Sequence, residues 1–267
     1  MRERTPRAAA SATASAIRVS EMGHDIEPMD EDDARRQPKA AERVAKRALI
    51  LAAVGNRGLL ENELQTVQEP ARICNAMVRW IEKLGIGDEA EPEEWKALQR
   101  GPGFLESQAK IDAAWRLEGL GVLLWALRRY RLPPYDELVS PTNLFQLSRL
   151  FRVWGARRLI ARAKLRSAEQ LAAYRKHALM THWRLRNFRV HPGAIDFVEF
   201  SKGSWCGQFD ITRFRIVNND LALGKTPIAD ADPALVRMCE SIASERHRAI
   251  DWVLLGSEIY SETDMST

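Results

Sequence analysis

The sequence predicts a mainly α-helical fold: a multi-helix orthogonal bundle with a small antiparallel β-hairpin or meander at about 195–223, before the last helix. Apolar residues recur every three to four positions over most of residues 40–186, and again over 233–255. Between these regions, short runs of β-branched and aromatic residues flank an Asn-Asn-Asp turn. The composition, with 45% hydrophobic and 28% charged residues, is typical of a folded globular protein.

The first forty residues differ from the rest of the chain. They contain an Ala/Ser run that is too weakly apolar for the core of a signal peptide, and they end near an acidic cluster from Asp30 to Asp33. We therefore expect residues 1–40 to form a disordered tail, and residues 41–267 to form a single helical domain.

Three helices are predicted in the first part of this domain. Apolar positions four, seven and eight residues apart predict a helix from about Ala40 that stops at Gly55 and Gly58. Pro70 and Pro92 each suit the first turn of a helix, so each is expected to begin one. We expect these three helices to form one layer.

The most apolar segment is Ile111 to Tyr130, which has no polar face. A helix that is apolar on all sides is usually the buried centre of its domain. Two prolines at 133 and 134 end this segment. Ser140-Pro141 then predicts the start of another helix, because Ser is a favoured N-cap and Pro is favoured at the first helical position.

That helix is expected to bury a stripe of four apolar residues, followed by a kink or a new helix at Gly155. The stripe consists of Leu147, Leu150, Phe151 and Trp154. Ser167 and Gln170 resemble a capping box, which predicts a further helix that extends to about Arg186.

Beyond residue 190 the period changes to that of strands. Three extended segments are predicted, with a turn at 218–220 between the second and the third. They comprise Ile195, Phe197 and Glu199–Phe200, then residues 214–217, then residues 221–223. The last helix is predicted from Pro233 to about Leu255.

Two charged residues fall on apolar helix faces. The helical period places Arg246 on the inner face of the last helix, and Glu118 on the same face as Trp115 in the most apolar helix. An unpaired buried charge is very costly, and a guanidinium can donate two hydrogen bonds to one carboxylate. We therefore predict a buried Glu118–Arg246 ion pair. A catalytic or ligand-binding role for either residue stays open, because buried ionisable groups also cluster at sites.

Two histidines are candidates for chemistry. His247 and Asp251 are four residues apart on one helix face, a spacing that allows a carboxylate to orient an imidazole, although such pairs are more often solvated. His182, beside Trp183, could complete a two-histidine site with His247. The sequence has no metal-ligand spacing, nucleophile elbow, phosphate-binding loop or dinucleotide fingerprint, and its three cysteines form no C-x-x-C. We expect no metal, no cofactor and no disulfide framework.

A basic stretch lies at 149–166 and could bind nucleic acid or another anion. Its cations are Arg149, Arg152, Arg157, Arg158, Arg162, Lys164 and Arg166. On a helical wheel they surround the axis, which favours a solvated face. The segment 128–189 carries 15 basic and 3 acidic residues, against 25 and 33 in the rest of the chain. The chain is therefore polarised, although its net charge is only +4.

Several segments resemble one family. Trp115-Arg116-Leu117-Glu118, followed by Leu123-Leu124-Trp125-Ala126-Leu127, is similar to the WR-E…LLWAL signature of a bacterial domain of unknown function, number 4272 in its series. His182-Trp183 is similar to the HW of that family, residues 41–48 to its opening helix, and residues 241–252 to its ERH-A-NWL helix.

This resemblance covers about residues 40–267. It implies a mainly α-helical, cytoplasmic bacterial protein, and it implies no particular activity, substrate or cofactor. The positions that it marks as defining the domain are Trp115, Arg116, Glu118, His182, Trp183, Glu245, Arg246, His247 and Trp252.

Three interpretations of function remain open. The sequence favours a non-enzymatic globular protein that interacts with a protein partner and whose Trp, Arg, Glu and His residues form a buried framework. The alternative is a small-anion-binding or hydrolytic enzyme with Glu118, Arg246 and His247 in one pocket, joined by His182 and Asp264. Its binding candidates are Arg116, Arg246, Trp115, Trp183 and Trp252, with Arg246 or Arg116 holding the anion and Glu118 or His247 as general base. A third interpretation is nucleic-acid binding through residues 149–166. We expect a soluble, cytoplasmic protein without a membrane span, because no window of about 18 residues is continuously apolar.

Overall fold

A computed structural model describes residues 39–267. The helices of this part are α1 (Ala41–Asn62), α2 (Pro70–Leu84), α3 (Pro92–Gln99), α4 (Ser107–Ala126), α5 (Pro141–Ser148), α6 (Val153–Ala161), α7 (Ala168–Val190), α8 (Phe197–Phe200) and α9 (Pro233–Leu255). The strands β1 (Ile216–Val217), β2 (Asp220–Leu223) and β3 (Thr226–Pro227) form one antiparallel sheet before α9. The predicted mainly helical class with a small sheet before the last helix is therefore confirmed. The predicted tail lies outside the described residues, except for its last two positions.

Local capping signals determine where several helices begin. Pro70 is the first residue of α2, which ends at Gly85 with a left-handed φ of 66°. Ser140 caps α5 by accepting a hydrogen bond from the Asn143 backbone N–H at 3.5 Å. Ser167 caps α7 within the predicted capping box. These starts follow from short sequence patterns, so they were predictable.

Helix α1 does not stop at Gly55 and Gly58, as predicted, but continues to Asn62. The glycines serve a close contact with α4. A Cβ atom on Gly58 would lie 2.5 Å from the backbone nitrogen of Ala114, and one on Gly55 would lie 2.4 Å from Cδ2 of Leu117. The burial gained by this contact outweighs the cost of about 1 kcal/mol for a glycine inside a helix.

The predicted burial of Phe151 and Trp154 is wrong. Helix α5 ends at Ser148 because Arg149 has a left-handed φ of 61°, and α6 begins at Val153, before the predicted break at Gly155. The change of direction turns both aromatic side chains outward, and they are 44% and 73% exposed. The prediction treats the apolar period as that of one continuous helix, whereas the backbone turns between Ser148 and Val153.

Residues 197–200 are not extended, as predicted, but form the single-turn helix α8. The Asp196 carboxylate accepts a hydrogen bond from the Glu199 backbone N–H at 2.7 Å, which caps this turn. The hairpin of β1 and β2 occurs where it was predicted, with Ile216 opposite Leu221. Strand β3 was not predicted, because its two residues include Pro227, which is disfavoured within strands.

Two apolar clusters fill the interior of the described part. The first is formed by helices α1 to α6 with the C-terminal half of α9. The second is formed by the middle of α7, residues 197–228 and the N-terminal half of α9. Helices α7 and α9 contribute to both clusters, and the candidate site residues lie on these two helices and on α4. Within residues 39–267, no helix is both long and apolar enough to cross a bilayer.

Candidate functional site

The pair predicted between Glu118 and Arg246 joins α4 to α9. Nε of Arg246 donates a hydrogen bond to Oε2 of Glu118 at 2.8 Å, and both side chains are nearly inaccessible to solvent. The other carboxylate oxygen accepts from the Val139 backbone N–H at 2.9 Å. Burial raises the pKa of Glu118, and the charge of Arg246 opposes that rise.

The remaining nitrogens of Arg246 hold the loop between α4 and α5. One terminal nitrogen donates to the carbonyl oxygens of Pro133 and Pro134 at 3.0 and 2.9 Å, and the other donates to that of Glu137 at 2.7 Å. Arg246 therefore donates to three carbonyl groups of this loop, of which that of Pro134 also accepts from the Glu137 backbone N–H. This use of its donors fixes the loop and leaves little hydrogen-bonding capacity for a ligand.

His182 and His247 form a buried pair between α7 and α9. Their Nδ1 atoms are 3.2 Å apart, so one imidazole donates and the other accepts. Nε2 of His247 lies 3.1 Å from Oδ2 of Asp251, in a direction that does not make a hydrogen bond. Asp251 also accepts from Nε of Arg175 at 3.0 Å. The expectation of a solvated His247–Asp251 contact is wrong, because α7 covers this face of α9.

The other predicted residues are also held inside the protein. Arg116 donates to both carboxylate oxygens of Glu245 at 3.0 Å. Trp183 stacks on Phe200 with a centroid distance of 4.3 Å, and Trp252 is fully buried. Together with the Glu118–Arg246 pair and the two histidines, these side chains make up what we call the buried framework.

The predicted pocket of Glu118, Arg246 and His247 is not formed. Arg246 borders a large cavity that neither Glu118 nor His247 lines, and His247 is buried against α7. His182 and Trp115 border a different, small cleft of about 240 Å³. Asp264 is exposed and accepts hydrogen bonds from Ser266. These groups therefore do not share one reaction space.

The large cavity lies between the end of α4, the loop 127–140, α7, the residues before β1, and α9. Its volume is about 1110 Å³. Six aromatic residues line it, and five arginines stand in its walls and rim. The aromatic residues are Trp125, Tyr130, Tyr135, Tyr174, His177 and Phe214, and the arginines are Arg131, Arg166, Arg213, Arg215 and Arg246. We call this space the aromatic cavity.

His177 is the least satisfied polar group of the aromatic cavity. Its Nδ1 atom is buried and has no hydrogen-bond partner among residues 39–267. Its ring packs against Phe214, with centroids 4.5 Å apart. Burial first, and then the charges of Arg213 and Arg246, lower the pKa of His177 to about 4. The imidazole is therefore neutral at pH 7.

The arginines give the aromatic cavity a positive charge. Arg166 donates from Nε to the Trp125 carbonyl at 2.8 Å and lies over the Trp125 ring at 4.8 Å. Arg131 is exposed and makes no ion pair with any residue of the described part. Arg213 and Arg215 pair with Asp210 and with Asp136, respectively. Arg131 and Arg166 are thus the cations of this cavity that no carboxylate of residues 39–267 neutralises.

Sequence reasoning missed the aromatic cavity apart from Arg246. Its residues come from five separate segments, and each one looks ordinary in its own helix or loop. The pair of prolines at 133 and 134, flanked by Tyr130 and Tyr135, is the signal that was available. Residues 39–267 contain no group of three or more His, Cys, Asp or Glu side chains that could hold a metal ion.

A family described as "Domain of unknown function (DUF4272)" matches residues 21–196. The chain belongs to this family. The match includes the WR-E, LLWAL and HW segments, and it begins inside the predicted tail. It ends before α9, so the similarity noted for residues 241–252 lies outside it. No curated protein and no solved structure matches the chain.

Proposed function

We propose that this protein is a non-enzymatic binding protein, in which the buried framework holds the walls of the aromatic cavity around a small aromatic anion. The observation that carries the proposal is the lining of that cavity. Six aromatic rings surround it, and beside it stand two arginines that have no carboxylate partner in the described part of the chain. A pocket with an apolar lining and a few convergent polar groups is the usual form of a small-molecule site.

The chemical class of ligand follows from the lining. Aromatic side chains favour a flat, apolar body that can stack on them. A guanidinium recognises a carboxylate or a phosphate through paired hydrogen bonds, so Arg131 and Arg166 suit an anionic group on that body. The neutral imidazole of His177 adds a further ring to this lining, whereas its Nδ1 atom is buried and out of reach of a ligand.

Binding without turnover is supported by the groups that surround His177. A pKa of about 4 makes this imidazole a weak base. The nearby carboxylates are occupied, because Glu118 accepts from Arg246 and from the Val139 backbone, and Glu137 is paired with Arg215. The framework residues thus stabilise the walls and are not available for proton transfer.

One compound tests both parts of the proposal. We expect p-nitrophenyl phosphate to bind in isothermal titration calorimetry, and to bind more tightly than p-nitrophenol, which lacks the phosphate. The variant Arg131→Gln is expected to weaken binding of the phosphate ester by about tenfold to one-hundredfold, the effect of losing a hydrogen bond to a charged group. Arg237→Gln, which removes an exposed arginine away from the aromatic cavity, is the matched control.

The variant His177→Phe keeps the ring packing against Phe214 and removes the Nδ1 atom. It should bind the phosphate ester as the unaltered chain does, because the phenyl ring keeps the stacking surface and the nitrogen that is removed is buried. Failure of both the ester and the free phenol to bind would overturn the proposal, as would equal binding by the Arg131→Gln variant. Release of p-nitrophenolate, followed by its absorbance, would contradict the non-enzymatic part alone.

A further inference from the structure

A second concave surface lies between the end of α4 and the helices α5 and α6. It has a volume of about 790 Å³ and is lined by Arg129, Arg149, Arg152, Arg158, Arg162 and Trp154, among others. We propose that this arginine groove binds single-stranded nucleic acid. The inference is independent of the function proposed for the aromatic cavity, because the two spaces have no lining residue in common.

The turn between α5 and α6 collects these arginines. On a continuous helix they would surround the axis, but α5 ends at Ser148 and α6 starts in a new direction at Val153. Arg149 and Arg152 lie in the turn, and Arg158 and Arg162 follow on α6. Other cations of the basic stretch have separate roles, since Arg157 donates to the Lys83 carbonyl and Arg166 covers Trp125.

The five arginines of the groove have no carboxylate partner within residues 39–267. None of their side chains makes an ion pair or a hydrogen bond there, whereas arginines in the core of the protein, such as Arg47 and Arg184, each form an ion pair with a buried carboxylate. Like charges this close repel one another, so their proximity is a cost to the folded state. A bound polyanion would relieve that repulsion.

An aromatic side chain stands among these charges. Trp154 is 73% exposed, and the guanidinium of Arg158 lies 5.5 Å from the centre of its ring. Phe151, in the turn, is 44% exposed. Proteins that bind single strands combine a positive groove for the backbone with exposed rings on which bases stack. The arginine groove has both parts.

Two residues of the turn between α5 and α6 have a strained backbone conformation. Arg149 and Phe151 both have a left-handed φ, of 61° and 63°, which is unfavourable for residues with a side chain. Gly155 gives space for Arg149, because a Cβ atom at 155 would lie 3.1 Å from Cγ of Arg149. The strain presents Arg149 to the groove and Phe151 to solvent.

The shape of the surface selects among anionic partners. A groove suits a single flexible chain, whose phosphates can follow the arginines while a base stacks on Trp154. A duplex keeps its bases stacked internally, so it offers no base to Trp154. A flat bilayer or an acidic peptide would engage the charges but not the stacking ring in this way.

Fluorescence anisotropy with a labelled twelve-nucleotide oligothymidine tests the proposal on the full chain. If five phosphates are neutralised, the logarithm of the affinity should fall with the logarithm of salt with a slope of about −3.5. Raising salt from 50 to 200 mM should then weaken binding about one-hundredfold. The double variant Arg152→Gln/Arg158→Gln should reduce this loss to about twentyfold.

The variant Trp154→Ala separates stacking from charge. It should weaken binding about tenfold at low salt and leave the salt slope unchanged, because it removes a ring and no cation. Matched controls are Phe104→Ala, which removes another exposed ring that is 75% accessible, and Arg79→Gln/Arg237→Gln, which removes two exposed arginines elsewhere. Both controls should bind like the unaltered chain.

An acidic run at 30–33, outside the described residues, is a potential competitor for the groove. The assay therefore includes the full chain with Asp30→Asn, Glu31→Gln, Asp32→Asn and Asp33→Asn. Absence of binding in both this variant and the unaltered chain would overturn the proposal. Equal affinity for duplex DNA, for polyglutamate or for phosphatidylserine vesicles, or equal effects of the groove and control variants, would overturn it as well.

Discussion

The buried histidine pair predicts a specific loss of stability in mild acid. His182 is 6% exposed, and its Nδ1 atom faces that of His247 at 3.2 Å. Burial, and then the neighbouring His247, lower the pKa of His182 to about 3. In the unfolded chain this imidazole has the ordinary value of about 6.5. Between these two values the unfolded state binds a proton that the folded state does not bind.

The sign and the magnitude follow from this difference. The stability associated with neutral His182 is fully present above pH 6.5, and it is lost as the pH falls toward 3. The loss is about 1.4 kcal/mol per pH unit. Relative to pH 7.5, the contribution at pH 5.0 is therefore about 2 kcal/mol of destabilisation.

Urea unfolding at pH 7.5 and pH 5.0 measures this effect. The unaltered chain should lose about 2 kcal/mol more than the variant His182→Asn between the two pH values, because Asn has no proton to gain. His191→Asn, which replaces an exposed histidine, should show the same pH dependence as the unaltered chain. An equal loss in His182→Asn and in the unaltered chain would refute a buried neutral imidazole at this position.

Three further predictions concern the core. Glu118→Gln leaves Arg246 buried without a carboxylate, so it should lower the free energy of unfolding in urea by about 3–5 kcal/mol. The control Glu199→Gln, in the exposed Glu199–Lys202 pair, should cause no measurable change. Similar effects of the two variants would argue against a buried pair. Gly58→Ala places a methyl group against the α4 backbone, so it should lower the free energy of unfolding by about 1–3 kcal/mol. The control Gly193→Ala has open space around it and should change that free energy by no more than about 0.5 kcal/mol. A Gly58→Ala variant as stable as the unaltered chain would refute the close contact. Cys74 and Cys239 should resist iodoacetamide at pH 8 in the folded state, because both are buried and burial raises the pKa of Cys239 to about 12; mass spectrometry that finds either thiol modified faster than global unfolding would contradict this.

Much of the architecture could be predicted because its signals are local. Helix starts at Pro70, Ser140 and Ser167 depend on a few adjacent residues, and the structure has them where the sequence indicated. The pairing of Glu118 with Arg246 was also predictable, since a helical period identifies each charge as buried and burial demands a partner. The role of that pair was not predictable, because its loop partners at 133–139 are contacts between distant segments.

The errors have a common physical origin. The apolar period of α1 did not indicate that the helix continues past its two glycines. What stabilises that continuation is the close contact with α4, a helix about fifty residues further along the chain. The periodicity of residues 144–154 gave no reason to stop at Ser148, because the left-handed conformation of Arg149 is a property of the folded turn. The same turn produces the arginine groove, so the segment could be recognised as basic but not as concave.

The sequence alone therefore determined the helical class, the presence of a small sheet before the last helix, the family resemblance and one of the buried ion pairs, Glu118–Arg246. Only the tertiary structure decided which surfaces are open. The aromatic cavity and the arginine groove are both spaces between elements, and the residues that line them are set by how helices pack and turn. Periodicity along one element reports whether a side chain is buried, but it carries no information about which distant segments border the same space.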